Sequence, residues 1–406
     1  MSTNRSAAGR QPTVDAEAIV DAARELVAER GLAELSLRAL AERAGISVGS
    51  ISYRIGDRAA LVEAIAAREV ALAEQERSVW ERSMAGVDAL AAGCLADLVT
   101  AWLDDCALGG RTSAVVRAEL LLKVQREPAG HPHVDRLHAL LRERWRTILA
   151  EHPQADQLAT RIAGYCLDER PFSILLADET DYRLLRQSTL RALLRDLHEA
   201  PASGASSWHM ALVDRLATPA RAAIETGEPP QGNKAAIAEK IADLILAQGI
   251  EGLSHRAVAR EAATANSSVA HHFPAQRDLL LGGVEALYRR MRREIGTDED
   301  AEAGYAVIVL THEMALAALR DERFRPFAID MRRRRAENVH AVISEQLIGR
   351  PDGDRAMSQA YTMAMIGHGF AIAAEPTTTL RNAPRGWRAK EILTDLANPP
   401  NAVHPS

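Results

Sequence analysis

The apolar positions along the chain repeat with the period of an α-helix. Near the start they are spaced i, i+3, i+4, i+7 and i+8, at Ile19, Ala22, Ala23, Leu26 and Val27. Similar spacing continues through most of the chain. The one strand-like run, Ala306 to Leu310, is flanked by helix formers and has no partner run, so we expect a buried helix there. The pattern therefore predicts an all-α fold.

Punctuating residues divide the first segment into short helices. Gly31 ends the first helix, and Ser36 is placed to cap a second helix that stops at Gly45. A third helix is expected to start after Ser47 and to run to about Arg54, before a longer helix capped by Asp57. Two short helices joined by a tight turn, after a longer one, predict a helix-turn-helix.

The chain contains an internal repeat. Adding 218 to a residue number between about 14 and 62 reaches a matching residue without gaps. The matches include Ile19 with Ile237, Leu26 with Leu244, Gly31 with Gly249, Ser36 with Ser254, Arg38 with Arg256, and Leu61 with Leu279. A weaker match at a shift of 194 relates residues 119–132 to residues 313–326. We therefore predict a duplication.

The repeat predicts two tandem units in four domains. Each unit has an N-terminal three-helix helix-turn-helix domain followed by a helical-bundle domain. The expected bounds are 12–62 and 229–280 for the helix-turn-helix domains, and 63–228 and 281–406 for the bundles. The Pro/Gly-rich residues 226–231 are the expected junction, and residues 201–207 form a looser stretch before it.

Composition narrows the class of protein. The 406 residues are 47% hydrophobic and 26% charged, which predicts packed cores and exceeds what one helical core accommodates. The net charge of -6 requires any DNA contact to come from a local positive surface. No signal-like segment or long apolar run occurs, so we expect a cytoplasmic protein, with no cofactor indicated.

The third helix has the residues that a helix entering the major groove needs. Small residues occupy its start, where backbone N–H groups can reach phosphate: Ser47, Val48, Gly49 and Ser50. Hydroxyl and guanidinium donors follow at Ser52, Tyr53 and Arg54. Arg38 and Arg58 bracket this helix and are predicted to contact phosphate.

The segment ERGLAELSLRALAERAGISVGSISYRIGDRAALV resembles the N-terminal domain of the tetracycline-repressor (TetR) family. The resemblance implies a bundle that binds a small effector and dimerises through its last two helices, and hence an effector-released regulator. It places the recognition helix on residues 48–54, the cap of the second helix on Ser36 and a phosphate contact on Arg58. The family usually has aromatics at the positions of Ser52 and Ile55.

The second copy, QGIEGLSHRAVAREAATANSSVAHHFPAQRDLL, also resembles the family. Its predicted DNA-binding residues are Ser254, Arg256, Asn266, Ser267, Ser268, His271 and His272. Ala263 replaces the turn glycine, Ala265 the capping serine and Gln276 the phosphate-contacting arginine. The second copy is therefore expected to bind DNA more weakly or to recognise a different half-site.

An effector site is predicted only by position. Trp102, Tyr165, Asp168 and Phe172 occupy places where the family's effector cavity is lined. Aromatic residues at helical spacing are also typical of a packed core, so both interpretations stay open.

Other motifs are weaker. Residues 45–49 match G-x-S-x-G, but a helix precedes them where a hydrolase needs a strand, and no other catalytic set is found, so no enzyme is predicted. The histidines at 131, 133, 138, 271 and 272 lack partners with metal-site spacing, so no metal is expected. The arginine clusters at 332–335 and 289–293 are expected to be solvated or ion-paired between helices.

The interpretation is a DNA-binding transcription regulator, expected to act as a repressor. Because residues 48–54 and 266–272 differ, two modules of one chain would bind a pseudo-palindromic operator with unequal half-sites. One alternative is a homodimer of chains whose second module is scaffold. Another is a small-molecule-binding protein that does not bind DNA.

Overall fold

The computed structural model describes residues 15–88, 93–126, 130–196, 201–217, 230–250, 253–293, 301–337, 339–374 and residue 396. Within these ranges it contains eighteen α-helices and no strand, which confirms the predicted all-α class. The run from Ala306 to Leu310 is helical, as expected. Most of residues 226–231, the predicted junction, lie outside the described residues.

The N-terminal half, residues 15–217, begins with three helices of a helix-turn-helix arrangement. We call residues 16–54 the first HTH segment. The helices of this half are α1 Ala16–Arg30, α2 Leu37–Ala44, α3 Val48–Arg54, α4 Arg58–Ser83, α5 Cys94–Ala107, α6 Arg111–Arg126, α7 Pro132–Ile148, α8 Ala155–Leu175, α9 Thr180–Leu194 and α10 Ala205–Arg215.

The C-terminal half, residues 230–374, begins with three helices in the same order. We call residues 232–272 the second HTH segment. The helices of this half are α11 Gly232–Gln248, α12 His255–Glu261, α13 Asn266–His272, α14 Gln276–Arg293, α15 Ala301–Ala318, α16 Arg325–Arg333, α17 His340–Ile348 and α18 Arg355–Ala374. A 3-10 turn, Glu322–Phe324, precedes α16.

Side-chain caps set where the first four helices begin. Asp15, Ser36, Ser47 and Asp57 each accept a hydrogen bond from the backbone N–H three residues later, at 2.7 to 3.1 Å. These N–H groups have no partner inside the helix, so a capping oxygen satisfies a donor that would otherwise rely on water. The caps predicted at Ser36 and Asp57 are confirmed.

The predicted domain boundaries fall inside helices. Residues 62 and 63 lie within α4, and residues 280 and 281 lie within α14. Each HTH segment is therefore followed at once by a helix that continues into the bundle, with no linker between them. A helix of this kind transmits a rigid-body movement of the bundle directly to the HTH segment.

The two halves pack on each other through α8 and α18. The backbones approach so closely at the crossing that a Cβ added to Gly164 would overlap the carbonyl oxygen of Ala364. A Cβ added to Gly367 would overlap the carbonyl oxygen of Gly164. Helix α18 also packs on α9. Glycine is required at both positions because any side chain would force the helices apart.

The apolar cores are shared between the halves. One buried cluster joins α1–α8 to Ile343, Tyr361 and Phe370 of the C-terminal half. A second cluster joins α11–α16 to Phe172 and Tyr182 of the N-terminal half. Each half therefore completes the other's core.

Candidate nucleic-acid interface

The turn between α2 and α3 sets the angle of the third helix. Gly45 adopts a left-handed backbone conformation, with φ 65°, and the N–H of Ile46 donates to the carbonyl of Ala41 at 3.2 Å. This arrangement ends α2 and reverses the chain within two residues. Leu40 and Ile51 are fully buried, so they hold α2 and α3 against α1.

The outer surface of α3 is exposed, as entry into a groove requires. Tyr53 is 91% exposed and Val48 is 42% exposed. Gly49, Ser52 and Arg54 are also exposed, and Ser50 is partly so. Ile51 is the one buried residue of this helix. The residues predicted to meet DNA therefore share the solvent-facing side of α3.

Two exposed arginines flank this surface. Arg38 and Arg54 form no hydrogen bond or ion pair with another described residue, so their guanidinium groups are available for phosphate or guanine. Arg43 differs, because it donates to Glu29 and Glu25 at 2.6 and 2.9 Å on the α1 side. These hydrogen bonds raise the pKa of Arg43 and lower that of Glu29.

Arg58 has a structural partner that sequence reasoning did not foresee. Its Nε and Nη2 atoms donate to the carbonyl oxygens of Leu35 and Leu32, at 2.8 and 2.9 Å. The side chain thus ties the turn after α1 to the start of α4. The phosphate contact predicted for Arg58 stays a prediction. Arg58 would make it either in this conformation or after breaking the two hydrogen bonds to Leu35 and Leu32.

The second HTH segment follows the first at the shift of 218, with helix bounds that agree within two residues. Helix α13, Asn266–His272, corresponds residue for residue to α3, and α14 begins at Gln276 as α4 begins at Arg58. Ser254 caps α12 by accepting from Ala257 N at 3.2 Å, as Ser36 caps α2. Gln276 donates to the carbonyl of Leu253, the counterpart of the Arg58 bond to Leu35.

The second segment differs in its turn and its cap. Ala263 has φ 47°, a left-handed conformation that costs an L-residue energy and that Gly45 adopts freely. Ala265 precedes α13 without a side-chain cap. The exposed residues of α13 are Asn266, Ser267 and His271, while Ser268 and His272 are partly exposed. Arg256 on α12 is also exposed.

The four predicted effector residues are all buried. Trp102 borders a cavity of about 30 Å³, a volume that suits a water molecule and is too small for an effector of ordinary size. Tyr165, Asp168 and Phe172 are fully buried on α8. Asp168 and Phe172 contact Arg335 and His312 of the C-terminal half, whereas the Tyr165 hydroxyl donates to Glu169 within its own half. The effector role of all four residues stays untested.

Buried ion pairs fill that interface. Arg332 donates to both carboxylate oxygens of Glu169, at 2.6 to 3.1 Å, and Arg335 does the same with Asp168. Burial opposes ionisation of Asp168, but Arg335 and His312 outweigh it and hold its pKa at about 2. Of the cluster at 332–335, Arg332, Arg333 and Arg335 are buried, so the inter-helix ion-pair alternative applies there. Sequence reasoning missed Glu169.

These features define the first HTH segment as a DNA-binding helix-turn-helix domain. Residues 19–65 match the family described as bacterial regulatory proteins of the tetR family. The chain thus carries the DNA-binding domain of that family, which supports a TetR-type regulator. The match does not include the second HTH segment. No curated protein matches the chain.

No described helix has the length and apolar character needed to cross a bilayer. No group of three or more histidine, cysteine or acidic side chains in the described ranges is arranged to hold a metal ion.

Proposed function

We propose that this chain is a sequence-specific transcription regulator in which both HTH segments of one chain bind DNA. The pair would act on a pseudo-palindromic operator with unequal half-sites, as a cytoplasmic repressor. The observation that carries the proposal is the identity of helix bounds: α13 lies at the position of α3 under the shift of 218, with exposed polar residues on its outer side.

The surfaces of the two recognition helices favour unequal half-sites. Helix α3 presents Tyr53 and Arg54, whereas the same positions in α13 are His271 and His272. Arginine pairs best with guanine, through two hydrogen bonds, and histidine cannot make that fork. Asn266, at the start of α13, is suited to adenine.

The packing of α8 on α18 supports pairing within one chain. In the resembling family, two chains dimerise through their last helices. Here helices from the two halves already cross at Gly164 and Gly367, and Glu169 and Asp168 of α8 also pair with Arg332 and Arg335 at the end of α16. A chain with this contact needs no second copy to bring two recognition helices together.

We also propose that a small molecule releases the protein from DNA. The 30 Å³ cavity at Trp102 is too small for this purpose, but a cleft of about 550 Å³ lies between the halves. Its walls include residues from both HTH segments, among them Leu32 and Ile250. A ligand in this cleft would act on both segments at once. Compounds that lower operator affinity should lose their effect when Ala317, which lines the cleft, is replaced by Trp.

The test is selection of bound sequences from random duplex DNA by the intact protein. The selection is repeated with Arg54→Ala and with His272→Ala. We expect an asymmetric site whose two halves lose enrichment separately, one with each variant. Affinity should fall as salt rises, because phosphate contacts release counterions.

Two other results would count against the proposal in different ways. A perfect palindrome that only Arg54→Ala abolishes would mean that two chains pair and that the second HTH segment is scaffold. No enriched sequence, together with affinity that is independent of salt, would favour a small-molecule-binding protein without a DNA site.

A further inference from the structure

Two ion pairs join the halves beside the HTH segments. Glu119 of α6 binds Arg320, which follows α15, and Arg126 of α6 binds Glu313 of α15. The closest N–O distance is 2.6 Å in both. We call them the inter-half ion pairs. Both line the 550 Å³ cleft, so they cross a gap that is otherwise poorly filled.

The first pair holds the turn that follows α1. Arg320 Nη2 donates to Glu119 Oε1, and Glu119 Oε2 accepts from the backbone N–H of Leu32 at 3.3 Å. The guanidinium lies against Gly31, where an added Cβ would be 3.0 Å from Nη1. An arginine of the C-terminal half therefore contacts the first HTH segment.

The second pair lies at the turn that follows α11. Arg126 Nε donates to Glu313 Oε1, while Glu313 Oε2 is buried without a hydrogen-bond partner among the described residues. A Cβ added to Gly249 would be 2.6 Å from Arg126 Nε. An arginine of the N-terminal half therefore contacts the second HTH segment.

The two pairs are related by the internal repeat. Gly31 and Leu32 become Gly249 and Ile250 at the shift of 218. Glu119 and Arg126 become Glu313 and Arg320 at the shift of 194. The side-chain exposures also match. Arg320 and Arg126 are 23% and 24% exposed, and Glu119 and Glu313 are each 9% exposed. The exchange is reciprocal, since each half supplies the glutamate for its own turn and the arginine for the other.

The glutamates of both inter-half ion pairs are 9% exposed, so these pairs differ from ion pairs on the open surface. Burial disfavours the charged form of Glu313 and raises its pKa, although Arg126 opposes the shift. The arginine partner stabilises the charged form of the glutamate, so loss of the arginine would remove the attraction that holds the close contact. Because glycine is present at each contact, the guanidinium reaches the backbone of the turn directly.

We propose that Arg126 and Arg320 are positioning residues that set the relative orientation of α3 and α13, and thereby the half-site spacing that the protein prefers. The spacing clause rests on the proposed function, since it requires both helices to bind DNA. The orientation clause does not. Each arginine joins one half to the HTH segment of the other half. Together, the two arginines therefore fix α3 and α13 relative to each other.

The first experiment measures orientation without DNA. Spin labels are attached at Tyr53→Cys and His271→Cys, which are equivalent exposed positions on α3 and α13, with Cys94 and Cys106 changed to Ser. The variants are R126Q/E313Q and E119Q/R320Q, which leave no unpaired charge. The control, Arg146→Ala, removes an exposed arginine that pairs with Asp156 inside the N-terminal half.

We expect a narrow distance distribution in the parent protein and in Arg146→Ala, and a broader one in both double variants. The reversed pair R126E/E313R should keep the narrow distribution, because it restores the attraction. Circular dichroism checks that each variant is folded. If the neutral double variants keep the parent width, the proposal is overturned, whatever the protein does with DNA.

The second experiment measures spacing. The selected operator is rebuilt with the half-sites moved closer or farther by one and two base pairs. For the parent protein one spacing should bind best, and the preference over the others should fall roughly ten-fold in the neutral double variants, a usual size for coupling between sites. An unchanged preference would overturn the spacing clause. Absence of selective binding by the parent would overturn the proposed function and leave the distance result to decide orientation.

Discussion

The two HTH segments have the same order of helices, with bounds that agree within two residues, but different outer surfaces. Buried positions correspond closely: Leu35 and Leu253, Leu40 and Val258, and Ile51 and Val269 are all at most 2% exposed. The ends of α3 and α13 differ, with exposed Tyr53 and Arg54 in one and exposed His271 and partly exposed His272 in the other. Packing restricts the first set of positions, while the second set is restricted only by whatever the helix binds.

The difference also extends to the devices that stabilise the turn. The first segment has Gly45 in the left-handed conformation and Ser47 as a cap, whereas the second has Ala263 and Ala265. A left-handed alanine costs roughly 1–2 kcal/mol, and a missing cap costs about 1 kcal/mol. The second segment is therefore expected to open more easily, although its backbone follows the same course.

The largest effect is expected from removing the buried anchor of each recognition helix. Ile51→Ala should destabilise the first segment by about 2–5 kcal/mol, because it leaves a cavity in a close-packed site. Val269→Ala removes less apolar volume and should cost less. Amide hydrogen exchange, followed peptide by peptide, measures each segment separately.

The two anchors belong to different apolar clusters, so each substitution should act on its own segment. Faster exchange in α2 and α3 alone is expected for Ile51→Ala, and in α12 and α13 alone for Val269→Ala. Equal loss of protection in both segments would mean that they unfold as one unit, so that the two segments would not have separate stabilities to compare.

The second-largest effect is expected on the affinity for operator DNA. Arg54→Ala should weaken binding to the selected operator by about 1–3 kcal/mol, the usual contribution of a bidentate contact to a base. His272→Ala should cost less, because a histidine makes at most one such bond at a time with a base edge. Fluorescence anisotropy at fixed salt, on operators with one half altered, compares the two.

Lys in place of Arg54 is the matched control, since it keeps the charge and loses the planar fork. If Arg54→Lys binds as well as the parent protein, Arg54 contacts phosphate and not a base. In that case the difference between the two halves of the operator would have to come from other residues of α3 and α13.

Much of the HTH geometry could be predicted from the sequence because it depends on local signals. Ser36, Ser47 and Asp57 cap helices at the start positions expected from their side-chain oxygens. The repeat at 218 also predicted α13 and its bounds. These features need only a few neighbouring residues, and the printed sequence contains them all.

The interface between the halves could not be predicted in the same way. Glu169 and Arg332 are 163 residues apart, and nothing in their local sequence shows that they meet. The family resemblance predicts an effector role for Asp168, which stays a prediction, but nothing in the local sequence indicates that Asp168 pairs with Arg335. The inter-half ion pairs did leave a signal, because Glu119 and Glu313 were matched at the shift of 194, but which arginine each would bind depends on the tertiary fold.

A smaller effect is expected at the turn between the second and third helices of each HTH segment, where the residue of one segment can be introduced into the other. Ala263→Gly should stabilise the second segment by about 1 kcal/mol, because it removes left-handed strain. Gly45→Ala should destabilise the first segment by about 1–2 kcal/mol. A Cβ added to Gly45 meets nothing within 4 Å, so the change tests backbone conformation alone. Thermal unfolding and local hydrogen exchange measure both. Opposite signs are required; two changes of the same sign would mean that the turns do not share one conformation.

The smallest effect is expected from exchanging the caps of α3 and α13. Ser47 Oγ accepts from the backbone N–H of Ser50 at 3.1 Å, and Ala265 offers no such group to Ser268. Ser47→Ala should cost, and Ala265→Ser should gain, about 0.5–1 kcal/mol. Hydrogen exchange at the first turn of each helix is the measurement. Because Ala265 has a backbone conformation close to that of Ser47, φ -73° against -78°, the added hydroxyl needs no backbone change to reach its donor. If Ala265→Ser gives no gain while Ser47→Ala costs the expected amount, the hydroxyl of Ser47 acts through its contact with Ser50 Oγ, 3.1 Å away, and not as a simple cap.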